Sequence, residues 1–190
     1  MAKTGGPKPS ELLTRSALKN ASVVLQAISG STNALVHLAA IAGRAGITYD
    51  LNELDRVGRD VPVLLDLKPA GNNFMEDFHA GGSLPALWRR LKDHLDLNAK
   101  LVNGETMGDV IKRWPAYVDD KVIRPLDNPL VKNEAIAILT GNLAPGGAAI
   151  KLAAATPSLF QHEGPALVFE SLEDLERRID RSEEHTSELQ

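Results

Sequence analysis

Three side chains able to bind or transfer a proton, Glu76, Asp77 and His79, fall within four positions of one another in the segment Asp66 to Gly82, DLKPAGNNFMEDFHAGG. Two carboxylates beside an imidazole can hold a sugar hydroxyl, support a metal from behind its ligands, or exchange a proton near neutral pH. Lys68-Pro69 and Gly71-Asn72-Asn73 interrupt any regular element before this group, and Gly81-Gly82 frees the backbone after it. A loop held between two apolar elements is a common seat for such chemistry. The same Glu-Asp pair also reads as the solvated start of a helix, where acidic residues oppose the positive end of the helix dipole.

A second group lies at Ser31, Thr32 and Asn33, just before an apolar helical run. Free N–H groups at a helix start, with two hydroxyls and an amide beside them, can take a carboxylate. Ser31 and Asn33 serve equally well as helix caps, Lys68 as a solvated turn residue, and His79 as packing against Gly81-Gly82.

The elements that must position these groups follow from spacing. Pro9-Ser10-Glu11 opens a helix to near Gly30, with Ser10 as its cap and Leu12, Leu13, Ala17, Val23, Val24, Ala27 and Ile28 at helical intervals. The next helix, beginning at Ala34, is apolar on most sides, which predicts burial, with His37 a hydrogen-bonded core residue. Asp50 begins a short helix to about Arg59, and Val61–Leu65 forms a strand that delivers the chain to the loop. Ser83 caps a helix bearing Leu84, Leu87, Trp88 and Leu91. Ala99–Val102 reads as a strand, and Thr106 to Trp114 as a helix.

From Pro115 to Pro129 a proline- and aspartate-rich stretch reads as a linker that few contacts should cross. Beyond it, Ala135–Leu139, Ala148–Leu152 and Ala166–Phe169 are β-prone runs separated by glycine- and proline-bearing turns. Ser171-Leu172-Glu173-Asp174 is a capping box that opens a helix through Ile179. The organisation expected is an α/β part at 1–115, a linker at 116–129 and a β-rich part at 130–180. The last ten residues, RSEEHTSELQ at 181–190, read as translated sequencing-library adapter; without them the net charge moves from -4 to -2. The glycine- and proline-rich start reads as a connecting loop, so that the chain is a fragment at both ends.

Composition narrows the function. A pI near 5.7 with scattered lysines and arginines gives no nucleic-acid or membrane surface, and no apolar run approaches a bilayer span. The absence of cysteine excludes disulfides and thiolate ligands and fits a cytoplasmic location.

Four motifs, SGSTNALVHLAAIAGRAG at 29–46, DLKPAGNNFMEDFHAGG at 66–82, VIRPLDNPL at 122–130 and GNLAPGGAAIK at 141–151, occur in one order and together span nearly the whole chain to Asp180. In these the chain resembles the dihydroxy-acid dehydratase / 6-phosphogluconate dehydratase family of hydro-lyases. DHLDLNAKLVNGETMGD, TPSLFQHEG and PALVFES look more like the branch acting on aldonic sugar acids such as L-arabinonate or D-xylonate. The resemblance implies part of an α/β N-terminal domain followed by the start of a β-rich, swivelling β/β/α barrel-like C-terminal domain. It implies removal of water from a 2,3-dihydroxy acid to give a 2-keto-3-deoxy acid, with an iron–sulfur cluster (2Fe-2S or 4Fe-4S) and magnesium in a full-length, homo-oligomeric parent.

The family's cluster cysteines, base serine and a magnesium-binding glutamate lie outside the matched stretch, so no catalytic residue and no metal ligand is carried over. Without thiolates the chain alone should bind no cluster. The residues proposed to line the substrate site are Ser31, Thr32, Asn33, Lys68, Glu76, Asp77 and His79, facing a small hydroxy acid. The alternatives are a dihydroxy-acid dehydratase of branched-chain amino acid biosynthesis and a non-catalytic hydroxy-acid-binding module.

Overall fold

Thr14 ends one short helix and begins the helix on which the rest is built. A computed structural model describes residues 5–69 and 71–179. In it α1 (Pro9–Leu12) stops at Leu13, and the Thr14 hydroxyl accepts the Ala17 N–H at 3.2 Å to start α2 (Arg15–Ala27). The single helix expected from Ser10 to Gly30 is thus two, because a good cap offers the backbone a fresh start.

The two faces of α2 enter two clusters. Val23 and Ala27, four residues apart, meet Val61, Leu64, Leu65, Phe78, Leu87, Leu91, Met107, Ile111, Val122 and Ile123. Leu25, on the opposite side, meets Leu35, Leu54 and Ile136.

Residues 61 to 66 are buried throughout, as expected of an apolar strand delivering the chain to a site. They pair through isolated bridges rather than a ladder: Val63 with Val131 and Leu65 with Ile123, both antiparallel. Asp66 N–H donates to the Val122 carbonyl at 2.9 Å, and Arg124 N–H to the Leu64 carbonyl at 2.7 Å. The stretch 116–129 therefore does not act as a contact-poor linker. Its prolines and aspartates shape turns, but between them Val122 and Ile123 are buried in the main cluster and supply backbone partners to 64–66. By packing, the chain divides after Ala155.

Following α2 come α3 (Asn33–Arg44), α4 (Leu51–Asp60), α5 (Met75–Ala80), α6 (Ser83–Arg90) and α7 (Met107–Arg113). Asp50 caps α4 and Thr106 caps α7, so the two helices expected to begin at these residues start one position later. Gly82, at φ 116°, rather than Ser83, holds the cap position of α6. Ala99–Val102 contributes one bridge, Lys100 with Thr106.

The burial expected of α3 is confined to a stripe. Leu35 and Ala42 are buried, whereas Val36 and Ile41 are 70% and 42% exposed, and His37 is exposed rather than a core residue. Only the line facing α2 and the following strands is covered.

Strand β1 (Ile136–Leu139) pairs antiparallel with β2 (Ala148–Lys151), Ile136 opposite Lys151. Two side chains fasten this hairpin. The fully buried Gln26 donates its Nε2–H to the Ile136 carbonyl at 2.8 Å and accepts the Ile136 N–H at 2.9 Å, acting as a neighbouring strand would. The Asp55 carboxylate accepts the Ile138 N–H at 3.0 Å. Mixed α/β character holds, with helix the larger share.

The unit from Thr156 onward contains a 3-10 turn at Pro157–Leu159 and α8 (Leu172–Arg178), capped by the Ser171 hydroxyl accepting from Asp174 N–H at 3.1 Å. Ala166–Phe169 forms no strand there, and none of the unit's described residues is buried. The adapter-like stretch 181–190 lies outside the described residues.

Candidate functional site

A cleft of about 650 Å³ opens between two turns of the first unit. One wall is the turn Ile28 to Thr32, the other is Leu67-Lys68-Pro69, the floor is Met75, Phe78 and Leu84, and the rim carries Lys151 and Ala154. Apolar walls with a few convergent polar groups describe a small-molecule site. A separate groove of about 400 Å³ beside Leu38, Trp88 and Met107 is almost wholly apolar and has little with which to orient a hydroxy acid.

The first wall follows from how α2 ends. Gly30 N–H returns to the Leu25 carbonyl at 3.0 Å, which places Ser29 in the left-handed region at φ 48°. Gly30 is fixed by space, since a Cβ there would stand 2.4 Å from Leu25 Cδ1. The chain then turns into α3: Ser31 Oγ accepts the Asn33 N–H at 3.2 Å, while the Thr32 hydroxyl caps nothing. Lys151 reaches across from β2, its Nζ donating to the Ser29 carbonyl at 2.7 Å. The Ser29 hydroxyl is buried without a hydrogen-bond partner.

The second wall is a closed knot. The buried Asp66 carboxylate accepts the Asn72 N–H at 2.7 Å and lies 3.8 Å from an Arg124 guanidinium nitrogen; the Asp66 carbonyl accepts from Asn73 Nδ2–H at 2.9 Å. Gly71 closes the knot, because a Cβ on it would stand 2.1 Å from Asp66 Oδ1. Lys68 projects from the knot with its Nζ 4.0 Å from the centre of the Phe74 ring.

Of the residues proposed from sequence, Ser31, Thr32 and Lys68 come together along this cleft, whereas Asn33, Glu76, Asp77 and His79 do not line it. The reason is helical phase. Met75 and Phe78, three apart on α5, face the cleft, so Glu76, Asp77 and His79 turn outward and are exposed. Asp77 has a local task, accepting the Phe74 N–H at 2.7 Å to cap α5. Asn33 begins α3 and is exposed.

Sequence reasoning missed Ser29, Asp66 and Lys151, although each stands at the end of a quoted motif: Ser29 opens SGSTN, Asp66 opens DLKPAGNN, and Lys151 ends GGAAIK. A charged or hydroxyl residue at the edge of a glycine-bearing motif was the available signal.

The iron–sulfur cluster and magnesium implied by resemblance find no seat here. The chain has no cysteine, and among the described residues no three His, Asp or Glu side chains converge as metal ligands. No chemical step is therefore assigned through either group.

Comparison with known proteins agrees with the motifs. Residues 1–110 match the family model "Dihydroxy-acid/6-phosphogluconate dehydratase N-terminal" and residues 121–188 the corresponding C-terminal model. The chain is 47% identical over 90% of its length to an L-arabonate dehydratase of Azospirillum brasilense. It is 46% identical over 91% to a 6-deoxy-6-sulfo-D-gluconate dehydratase of Pseudomonas putida, and 42% identical over 88% to a dihydroxy-acid dehydratase of Halothermothrix orenii. It spans 30% of the length of each of these relatives. Matched along both of its parts, the chain belongs to the dihydroxy-acid/6-phosphogluconate dehydratase family.

Proposed function

We propose that this chain works as part of a longer hydro-lyase that removes water from an aldonic sugar acid, L-arabinonate or a close relative, to give the 2-keto-3-deoxy acid. The observation that carries the reading is the ordering of identities, 45–47% to three sugar-acid dehydratases against 40–43% to four dihydroxy-acid dehydratases. In such a reaction a base takes the C2 proton, the C3 hydroxyl leaves as water, and the enol becomes the ketone.

Within that scheme the cleft holds and orients the acid. Ser31 and Thr32 offer hydroxyls, Lys68 a cation, and Met75 and Phe78 an apolar floor. The base, the iron–sulfur cluster and the magnesium belong to parts of the parent outside this chain, which works in the cytoplasm as a homo-oligomer. Glu76, Asp77 and His79, exposed on α5, would meet substrate only if another part of the parent closed over them.

The test is a keto-acid assay of the complete reading frame from the source DNA with L-arabinonate and with 2,3-dihydroxy-3-methylbutanoate. Faster turnover of the sugar acid is expected. Preference for the branched-chain acid, or no keto acid from either, would overturn the proposal.

A further inference from the structure

Ser29 occupies a position that structure alone would give to glycine. It is the residue after the C-cap of α2, in the left-handed region at φ 48°, where the absence of a Cβ relieves strain. Its side chain gains nothing locally, because Oγ has no hydrogen-bond partner although the residue is only 9% exposed. A buried hydroxyl left unpaired opposes folding. Strain at a non-glycine residue together with an unmet polar group points to a partner that the chain does not itself supply.

The surroundings of Ser29 fit an anion. Lys151 Nζ spends one donor on the Ser29 carbonyl and retains two more at the cleft rim. Ser31 and Thr32 enter α3, a twelve-residue helix whose positive end faces this turn, and their backbone N–H groups have no partner among the described residues. The end of α2 brings some negative potential to the same place, and one role of Lys151 is to offset it. The ammonium nonetheless faces a cleft with an apolar floor, where a charge-assisted hydrogen bond is stronger than in water.

We propose that Ser29 and Lys151, with the first turn of α3, form the anion-holding end of the cleft and take the carboxylate of a polyhydroxy acid. This rests on the reading that the cleft receives a hydroxy acid, and it adds two residues and a polarity: carboxylate toward Ser29 and Lys151, hydroxyls toward Lys68.

Calorimetric titration of this chain tests the assignment, with L-arabinonate, the neutral L-arabinitol and 2,3-dihydroxy-3-methylbutanoate as probes. L-arabinonate should bind at least tenfold more tightly than L-arabinitol. Lys151→Gln keeps a donor for the Ser29 carbonyl but removes the charge; it should weaken L-arabinonate about tenfold while the melting midpoint is held. Ser29→Gly should weaken binding a few-fold while the melting midpoint rises, an opposition that a purely structural serine would not show. Unchanged affinity in a folded Lys151→Gln chain, equal binding of the neutral polyol, or no binding of either acid to the folded chain would overturn the inference. Tighter binding of the branched-chain acid, still lost in Lys151→Gln, would support the anion end while contradicting the sugar-acid reading.

Discussion

The two walls of the cleft are both short turns following buried elements, yet they use their polar groups in opposite ways. In the knot from Asp66 to Asn73 the groups close on one another: carboxylate to Asn72 N–H, carbonyl to Asn73, Lys68 N–H to the Asn73 carbonyl at 2.9 Å. In the turn from Ile28 to Thr32 a hydroxyl, two N–H groups and an ammonium remain with hydrogen-bonding capacity. The knot spends its carboxylate and most of its backbone groups on holding its own shape, whereas the turn keeps groups that can bind.

The largest effect should come from breaking the knot. Gly71→Ala drives a methyl into the Asp66 carboxylate and the Leu67 backbone, 2.1 and 2.7 Å away, and the knot has no slack to yield. A loss of about 3 kcal/mol is expected in denaturant unfolding. A loss below about 1 kcal/mol would mean that the knot is far softer than its contacts imply.

The opposite sign is expected across the cleft. Ser29→Gly relieves a left-handed serine and removes an unpaired buried hydroxyl, against the extra freedom of glycine in the unfolded chain. The balance is a gain of roughly 1 kcal/mol. Stabilisation there and destabilisation at Gly71 would sharpen the contrast between the walls; destabilisation at both would erase it.

The smallest effect concerns the hairpin that carries Lys151. Burial pushes the Asp55 carboxyl upward, but the Ile138 N–H and the Arg59 guanidinium outweigh it and hold the group below the usual carboxylate range. A depressed folded value contributes stability that is complete above the ordinary carboxylate range and is lost as pH falls through the folded value. Thermal melts between neutral and strongly acidic pH should therefore show a loss that is shallower in Asp55→Asn. Identical acid profiles would show that this tie contributes nothing.

Much of the framework was legible in the sequence because it rests on local chemistry. Asp50, Thr106 and Ser171 cap their helices as their side chains dictate, and the two strands of the hairpin fall where β-prone runs meet turn residues. What was not legible depended on distant partners. Val122 and Ile123 lie in a stretch that reads as linker, and it is packing into the main cluster, with backbone bonds to 64–66, that makes them core. Glu76, Asp77 and His79 drew notice by type, but the phase of α5, set by burial of Phe78, turns them away. Ser29 and Lys151 are 122 residues apart, and no local pattern announces that one holds the other.

Amide mapping by heteronuclear NMR, with L-arabinonate titrated into this chain, tests the contrast between the walls most directly. The account predicts shifts at Ser29, Gly30, Ser31, Thr32 and Lys151, with the amides of Gly71, Asn72 and Asn73 unmoved. Shifts centred on 71–73 or on Glu76, Asp77 and His79, with 29–32 silent, would contradict it.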